Sequence, residues 1–220
     1  MTNYLFWILL IAIYLISSLP LSSWLAHRFY DIELTGIGSG NTGASNLAKA
    51  TSKSSAVPAA LFDIAKGIIP VWIGYSLGFG PVEEIIVGLA AIAGHNWPVF
   101  LRFNGGRGII TSLAVIIALP AVNGKIPWEI ILFILIAAIT LSISRSVPVC
   151  VVSGMIAVPI TGWVSGRSTI DVIGLIVIVL ILFIRRLTAP IKQTGLHLNT
   201  VNLIFNRRFL IAIFVTVRPG

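Results

Sequence analysis

Charge is what this chain has least of. Only 10% of its 220 residues are Asp, Glu, Lys or Arg, against about 25% in an ordinary soluble domain. Hydrophobic residues make up 57% and the mean hydropathy is +1.01, so the sequence excludes a water-solvated globule. Cysteine is nearly absent as well. A lone Cys150 closes no intramolecular disulfide and reads as a small apolar helix residue. His27, His95 and His197 are isolated, and no carboxylate cluster accompanies them, so the sequence offers no metal constellation and implies no cofactor. It has no Gly-Lys-Ser/Thr ending a phosphate loop and no serine-hydrolase elbow. The net charge of +8 is scattered among apolar runs instead of gathered on one polar face, which argues against nucleic acid as a partner.

Long apolar runs are what the chain has in quantity. A membrane-crossing helix needs about 20 mostly apolar residues. Seven stretches qualify as candidates, near residues 4–25, 54–78, 82–101, 108–123, 128–145, 147–164 and 169–187. They predict an all-α polytopic membrane helix bundle of about seven transmembrane helices. Residues 1–190 form a single membrane-embedded domain in this reading, and 191–220 a basic cytoplasmic tail. The first stretch has neither the basic flank nor the small-residue cleavage site of a removable signal, so it is expected to be retained. Ser142, Ser144, Arg145, Ser146 and Pro148 interrupt the fifth and sixth stretches, which leaves a count of five or six open. The run from Leu210 to Val217 is too short to span and is expected to lie along the membrane surface.

Orientation follows from the basic residues. With an odd number of spans and the N-terminus outside, Arg28, Lys49, Lys53, Arg102, Arg107, Arg145, Arg185, Arg186, Lys192, Arg207, Arg208 and Arg218 all fall inside. Lys125 and Arg167 fall outside, so the positive-inside rule places the C-terminus and the basic loops in the cytoplasm.

Two loops on that face have the composition of anion sites. In Gly36-Ile37-Gly38-Ser39-Gly40-Asn41-Thr42-Gly43-Ala44-Ser45-Asn46, glycines let backbone N–H groups approach an anion, and Ser, Thr and Asn add donors beside Lys49 and Lys53. A tightly turned connection has the same composition. The second loop runs from Gly94 through His95, Asn96, Trp97, Pro98, Arg102 and Asn104 to Gly105-Gly106-Arg107-Gly108, after which an apolar helix begins. Its N-terminus would offer free N–H groups and a positive dipole end, and Arg107 a planar fork for two phosphate oxygens. His95 fits either a structural hydrogen bond or a polar role in the site. Asp63 and Lys66, three apart on one helix face, can neutralise each other inside a span and brace the loops.

At these loops the chain resembles the bacterial integral-membrane glycerol-3-phosphate acyltransferases that use acyl phosphate as donor. The family pattern Gly-Ser-Gly-Asn-x-Gly-Ala-Thr-Asn with a following basic residue matches residues 38–46 and Lys49, with Ser45 for Thr and Lys49 for Arg. The pattern Gly-His-x-x-Pro-x-Phe-Leu-x-Phe-x-Gly-Gly-Lys-Gly matches residues 94–108, with Arg107 for Lys. Asp63-Ile64-Ala65-Lys66-Gly67 resembles an Asp-x-x-Lys-Gly element, and Ser144 stands where a third-loop Ser is expected. The third family motif departs after Arg185: Arg186 replaces His, Ala189 replaces Asn, and Lys192 stands near a later Arg.

The resemblance implies acyl transfer from acyl phosphate to the sn-1 hydroxyl of glycerol 3-phosphate, giving lysophosphatidic acid and phosphate for phospholipid synthesis. The enzyme would sit in the plasma or inner membrane among its lipids, with the active site facing the cytoplasm. Ser39, Asn41, Thr42, Asn46 and Lys49 are assigned to the glycerol-phosphate side, and Gly105, Gly106, Arg107 and Gly108 to the acyl-phosphate side; the two assignments can be exchanged. His95 would orient the reacting groups, with His95, Ser39, Asn41 and Arg107 as the catalytic set and Asp63, Lys66, Ser144 and Arg185 in support. Two readings stand beside this one: a transporter or binding protein for phosphorylated small molecules, and a catalytically weakened paralogue.

Overall fold

Proline 20 splits the first apolar stretch. In the computed structural model, which describes residues 3–189, α1 (Asn3–Ser17) stops short of it and α2 (Leu21–Tyr30) restarts beyond it. Proline has no N–H to give and its ring clashes with the preceding turn, so the helix changes course there. The expected surface segment near Leu210 and the whole basic tail, 191–220, lie outside the described residues.

The described residues form two compact units: residues 3–126 with 181–189, and residues 127–180. In the first unit a short α3 (Ala44–Ala50) follows the first glycine-rich loop, within what the sequence presents as the end of that loop and its approach to the next span. Next comes α4 (Lys53–Ser76), opened by a capping box in which Ser52 and Ser55 each accept the other's backbone N–H at 3.2 Å. α5 (Pro81–Asn96) starts with proline at its first position and Glu83 and Glu84 in its first turn, where carboxylates suit the positive dipole end. α6 (Ile109–Val122) follows the second loop.

Glycine sets the spacing of these helices. A Cβ on Gly67 of α4 would lie 2.6 Å from the Thr111 carbonyl oxygen of α6, and one on Gly88 of α5 would lie 2.6 Å from Val115 Cγ1. The backbones therefore meet more closely than larger residues allow, as membrane helices do where apolar solvent gives no hydrophobic drive to associate. Val71, Ile92, Val115 and Ile116 are fully buried on these helices, and Val87 and Ala91 are buried in a cluster with Ile13 of α1.

The second unit is built on a helix hairpin. α7 (Trp128–Ser144) ends at Arg145 in a left-handed conformation (φ 49°), and α8 (Val147–Val164) returns beside it. Ser153 donates to Thr140 Oγ1 at 3.0 Å across the pair, and Phe133 fills the place a Gly154 side chain would take. At the far end Arg167 donates through Nε and Nη2 to the two Glu129 oxygens at 2.6 and 3.1 Å. That hydrogen bonding raises the Arg167 pKa above its ordinary value. α9 (Thr169–Thr188) begins in this unit and ends in the first.

Helices thus occupy all the predicted apolar stretches, but not all are of spanning length. Residues Tyr4–Tyr30, Lys53–Ser76, Pro81–Leu101 and Val147–Val164 are long and apolar enough to cross a membrane, while Ile109–Val122 and Trp128–Ser144 are apolar and shorter. Trp7, Ile8, Ile143 and Val164 are more than 60% exposed, a placement that suits lipid and not water.

Candidate active site

The first loop is held from inside by Asn46. Its Oδ1 accepts from the Ser39 N–H at 3.2 Å and the Ser39 hydroxyl at 3.3 Å, while Nδ2 donates to the Leu34 and Ile37 carbonyls at 3.1 and 3.0 Å. The side chain is 2% exposed, so all its bonding is with the loop. Gly38 has φ +56°, and a Cβ there would stand 2.6 Å from Asn46 Oδ1, so both backbone angle and space demand glycine. Thr42 is buried, Ser39 and Asn41 are half-buried, and Lys49 in the last turn of α3 is exposed.

The second loop winds more tightly. Arg102 and Phe103 are both left-handed, at φ 50° and 65°, a costly pair for residues with side chains. The chain then doubles back, and the Gly106 N–H donates to the His95 carbonyl at 3.1 Å. A Cβ on Gly105 would collide with Pro98 and the His95 carbonyl, one on Gly106 with His95 Nε2, and one on Gly108 (φ +69°) with the Asn96 amide. Asn96 is fully buried, and neither polar atom of its side chain has a hydrogen-bond partner among the described residues. Gly108 is the N-cap of α6, and the Ser112 N–H returns to its carbonyl at 2.8 Å. Arg107 is half-buried.

Between the loops lies a buried polar cluster. His95 Nδ1 is 3.2 Å from Asp63 Oδ1, and Lys66 Nζ is 3.5 Å from the same oxygen. Lys66 also donates to the Leu19 carbonyl at 2.7 Å. The helix break at Pro20 leaves that carbonyl outside any helical ladder, and it accepts from the Leu21 N–H at 3.1 Å as well as from the ammonium. Thr111 of α6 donates to the Asp63 carbonyl at 3.1 Å, and the Tyr14 hydroxyl to the Trp97 carbonyl at 2.7 Å, which ties α6 to α4 and α1 to the second loop. The sequence identified Asp63 with Lys66; that His95 joins them depends on helix packing no motif spells out.

These groups line one cleft. Ser17, Ser22, Thr42, Asp63, Lys66, His95 and Gly106 all border it, so residues of both glycine-rich loops and the ion pair come together. Ser39, Asn41, Asn46, Lys49 and Arg107 are not part of its lining. Ser144 belongs to the second unit, where its hydroxyl donates to the Thr140 carbonyl at 2.6 Å. Arg185 of α9 is 2% exposed and reaches the second loop: Nε donates to the Gly106 carbonyl at 2.8 Å and Nη2 to the Gly105 carbonyl at 2.7 Å. Its guanidinium carbon lies 6.0 Å from the Trp97 ring centroid. Asn96 and Trp97 were legible as loop residues, but neither their burial nor their contacts leave a mark in the sequence.

The chain is thus a helical membrane protein in which residues of two glycine-rich loops border one polar cleft. Residues 7–193 match the family described as glycerol-3-phosphate acyltransferase, and the chain belongs to that family of membrane acyltransferases of phospholipid biosynthesis. It is 38% identical over 212 residues to glycerol-3-phosphate acyltransferase 5 of Dehalococcoides mccartyi, covering 93% of this chain and 88% of that protein. It is 35% identical over 178 residues to the glycerol-3-phosphate acyltransferase of Aromatoleum aromaticum, covering 80% of this chain and 87% of that one. Among solved structures it is similar to PlsY (YgiH), an integral membrane glycerol 3-phosphate acyltransferase, in its glycerol 3-phosphate form. The TM-score is 0.75 at 27% identity, with 97% of this chain and 99% of that chain covered. The lysophosphatidic acid form of PlsY gives a TM-score of 0.72 at 25% identity, with 95% and 98% covered.

Proposed function

We propose that this protein transfers an acyl group from acyl phosphate to the sn-1 hydroxyl of glycerol 3-phosphate, forming lysophosphatidic acid and inorganic phosphate. The observation that carries this reading is the shared cleft bordered by Thr42 of the first loop and by His95 and Gly106 of the second. Both substrates bear phosphate, and the relatives named above are glycerol-3-phosphate acyltransferases. In the reaction the hydroxyl oxygen attacks the acyl carbonyl carbon and the bond from that carbon to the phosphate oxygen breaks. The hydroxyl proton leaves with the phosphate. Acyl phosphate is already activated, so alignment and charge stabilisation supply the catalysis and no cofactor is called for.

In this proposal Ser39, Asn41, Thr42 and Lys49 receive the glycerol phosphate, and Asn46 keeps their loop in shape. Gly105, Gly106, Arg107 and Gly108 receive the acyl phosphate, His95 orients the reacting groups, and Asp63, itself paired with Lys66, holds His95. Arg185 supports the site. The seven-span topology, with the N-terminus outside and the site facing the cytoplasm of the cell membrane, is part of the same proposal and rests on the distribution of basic residues.

Purified protein in lipid, given palmitoyl phosphate and glycerol 3-phosphate, is expected to release phosphate and form a monoacyl product in equal amounts. Phosphate release without the acylated product identifies a hydrolase, and solute flux without either identifies a transporter; each defeats the proposal. Arg107→Ala is expected to lower turnover at least about a hundredfold with the helical fold intact by circular dichroism. Unchanged turnover removes Arg107 from the site.

A further inference from the structure

We propose that Arg185 is a positioning residue for the donor's phosphate: it holds two consecutive peptides of the Gly105–Gly106–Arg107 turn, closing the Gly106 N–H onto the His95 carbonyl and directing the Arg107 N–H away from the guanidinium. The guanidinium donates to the Gly106 carbonyl at 2.8 Å and the Gly105 carbonyl at 2.7 Å. In a trans peptide the N–H points opposite the C=O, so fixing these two carbonyls fixes the direction of the Gly106 and Arg107 N–H groups. The Gly106 N–H consequently meets the His95 carbonyl at 3.1 Å, on the wall of the cleft. The Arg107 N–H is turned to the side opposite Arg185.

Such a fork suits this task better than a single charge. Arg185 is 2% exposed, comes from nearly 80 residues further along the chain, and lies against Trp97. Its planar group spans two acceptors at once, which a lysine ammonium cannot do with the same geometry. The positive charge also adds to the field at the turn without touching the ligand. The first loop is shaped separately by Asn46, so the effect of Arg185 falls on the second loop's substrate. This inference rests on the assignment of that loop to acyl phosphate.

The test is steady-state kinetics of Arg185→Lys and Arg185→Gln in lipid, with palmitoyl phosphate and glycerol 3-phosphate varied separately. Thermal unfolding first establishes that each variant is folded. KM for palmitoyl phosphate is expected to rise about tenfold, with kcat and KM for glycerol 3-phosphate changed less than about threefold. Equal changes in both KM values, no change in either, or failure of both variants to fold would assign Arg185 to the scaffold alone and overturn the proposal. A wild-type protein that forms no acylated product defeats the functional reading instead. The positioning role is then measured by calorimetry with inorganic phosphate: affinity about tenfold weaker in Arg185→Lys sustains it, and equal affinity overturns it.

Discussion

Asn46 has a partner for each polar atom of its side chain, and that makes it more sensitive than a surface asparagine. Asn46→Ala leaves the Ser39 N–H and the Leu34 and Ile37 carbonyls without their partner, a cost on the order of 2–3 kcal/mol where the loop is buried. The expected result is a lower midpoint of thermal unfolding together with loss of product formation. Asn46→Asp removes both amide donors and is expected to behave in the same way. Gly106 makes the opposite kind of demand. Gly106→Ala drives a methyl group into His95 Nε2, so turnover is expected to fall at least about tenfold. Gly36→Ala, where the added carbon meets nothing within 4 Å, serves as the control and is expected to change turnover less than about twofold. Both comparisons need only the rate of lysophosphatidic acid formation. At this scale the sequence told which residues are polar and small, but not which are already occupied. Asn46 and Thr42 look alike as loop donors, and only the fold shows that one is spent on the backbone and the other borders the cleft.

The helices were legible because hydrocarbon solvent leaves the backbone little choice: an apolar run of sufficient length must satisfy its own N–H and C=O groups. What escaped the reading were interruptions decided by single residues or by contacts far away. Pro20 breaks one expected helix into α1 and α2, and α3 forms where small polar residues suggest only loop. The hairpin of α7 and α8 was readable from Arg145 and the polar residues around it, but the pairing of Glu129 with Arg167 across 38 positions was not. That pair gives a test at the level of the element. Glu129→Gln is expected to destabilise the second unit by on the order of 2 kcal/mol, seen as a lower midpoint of thermal unfolding. An arginine whose pKa is raised by its partner gives its full stabilisation below its unfolded value and loses it only above the folded one. Arg167's share is therefore expected to be constant through the neutral range, and the difference between Glu129→Gln and wild type equally large at pH 7 and pH 8.

For the molecule as a whole, the two glycine-rich motifs carried family membership, and the match over residues 7–193 bears that out. They could not show the route by which the two loops meet. That route runs through α4, whose Asp63 and Lys66 touch the second loop at His95 and the helix break at Leu19. The end of α9 is the other such link. Arg186 and Ala189 depart from the third motif, while Arg185 beside them holds the Gly105 and Gly106 carbonyls. The closeness of Asp63 and Lys66 also bears on how the chain is made. Because they sit one helical turn apart, their charges cancel before any tertiary contact exists. During biosynthesis the part of α4 beyond Lys53 would then partition from the insertion machinery into lipid without net charge, and a newborn chain with either partner replaced by a neutral residue would have to carry a bare ion across that step.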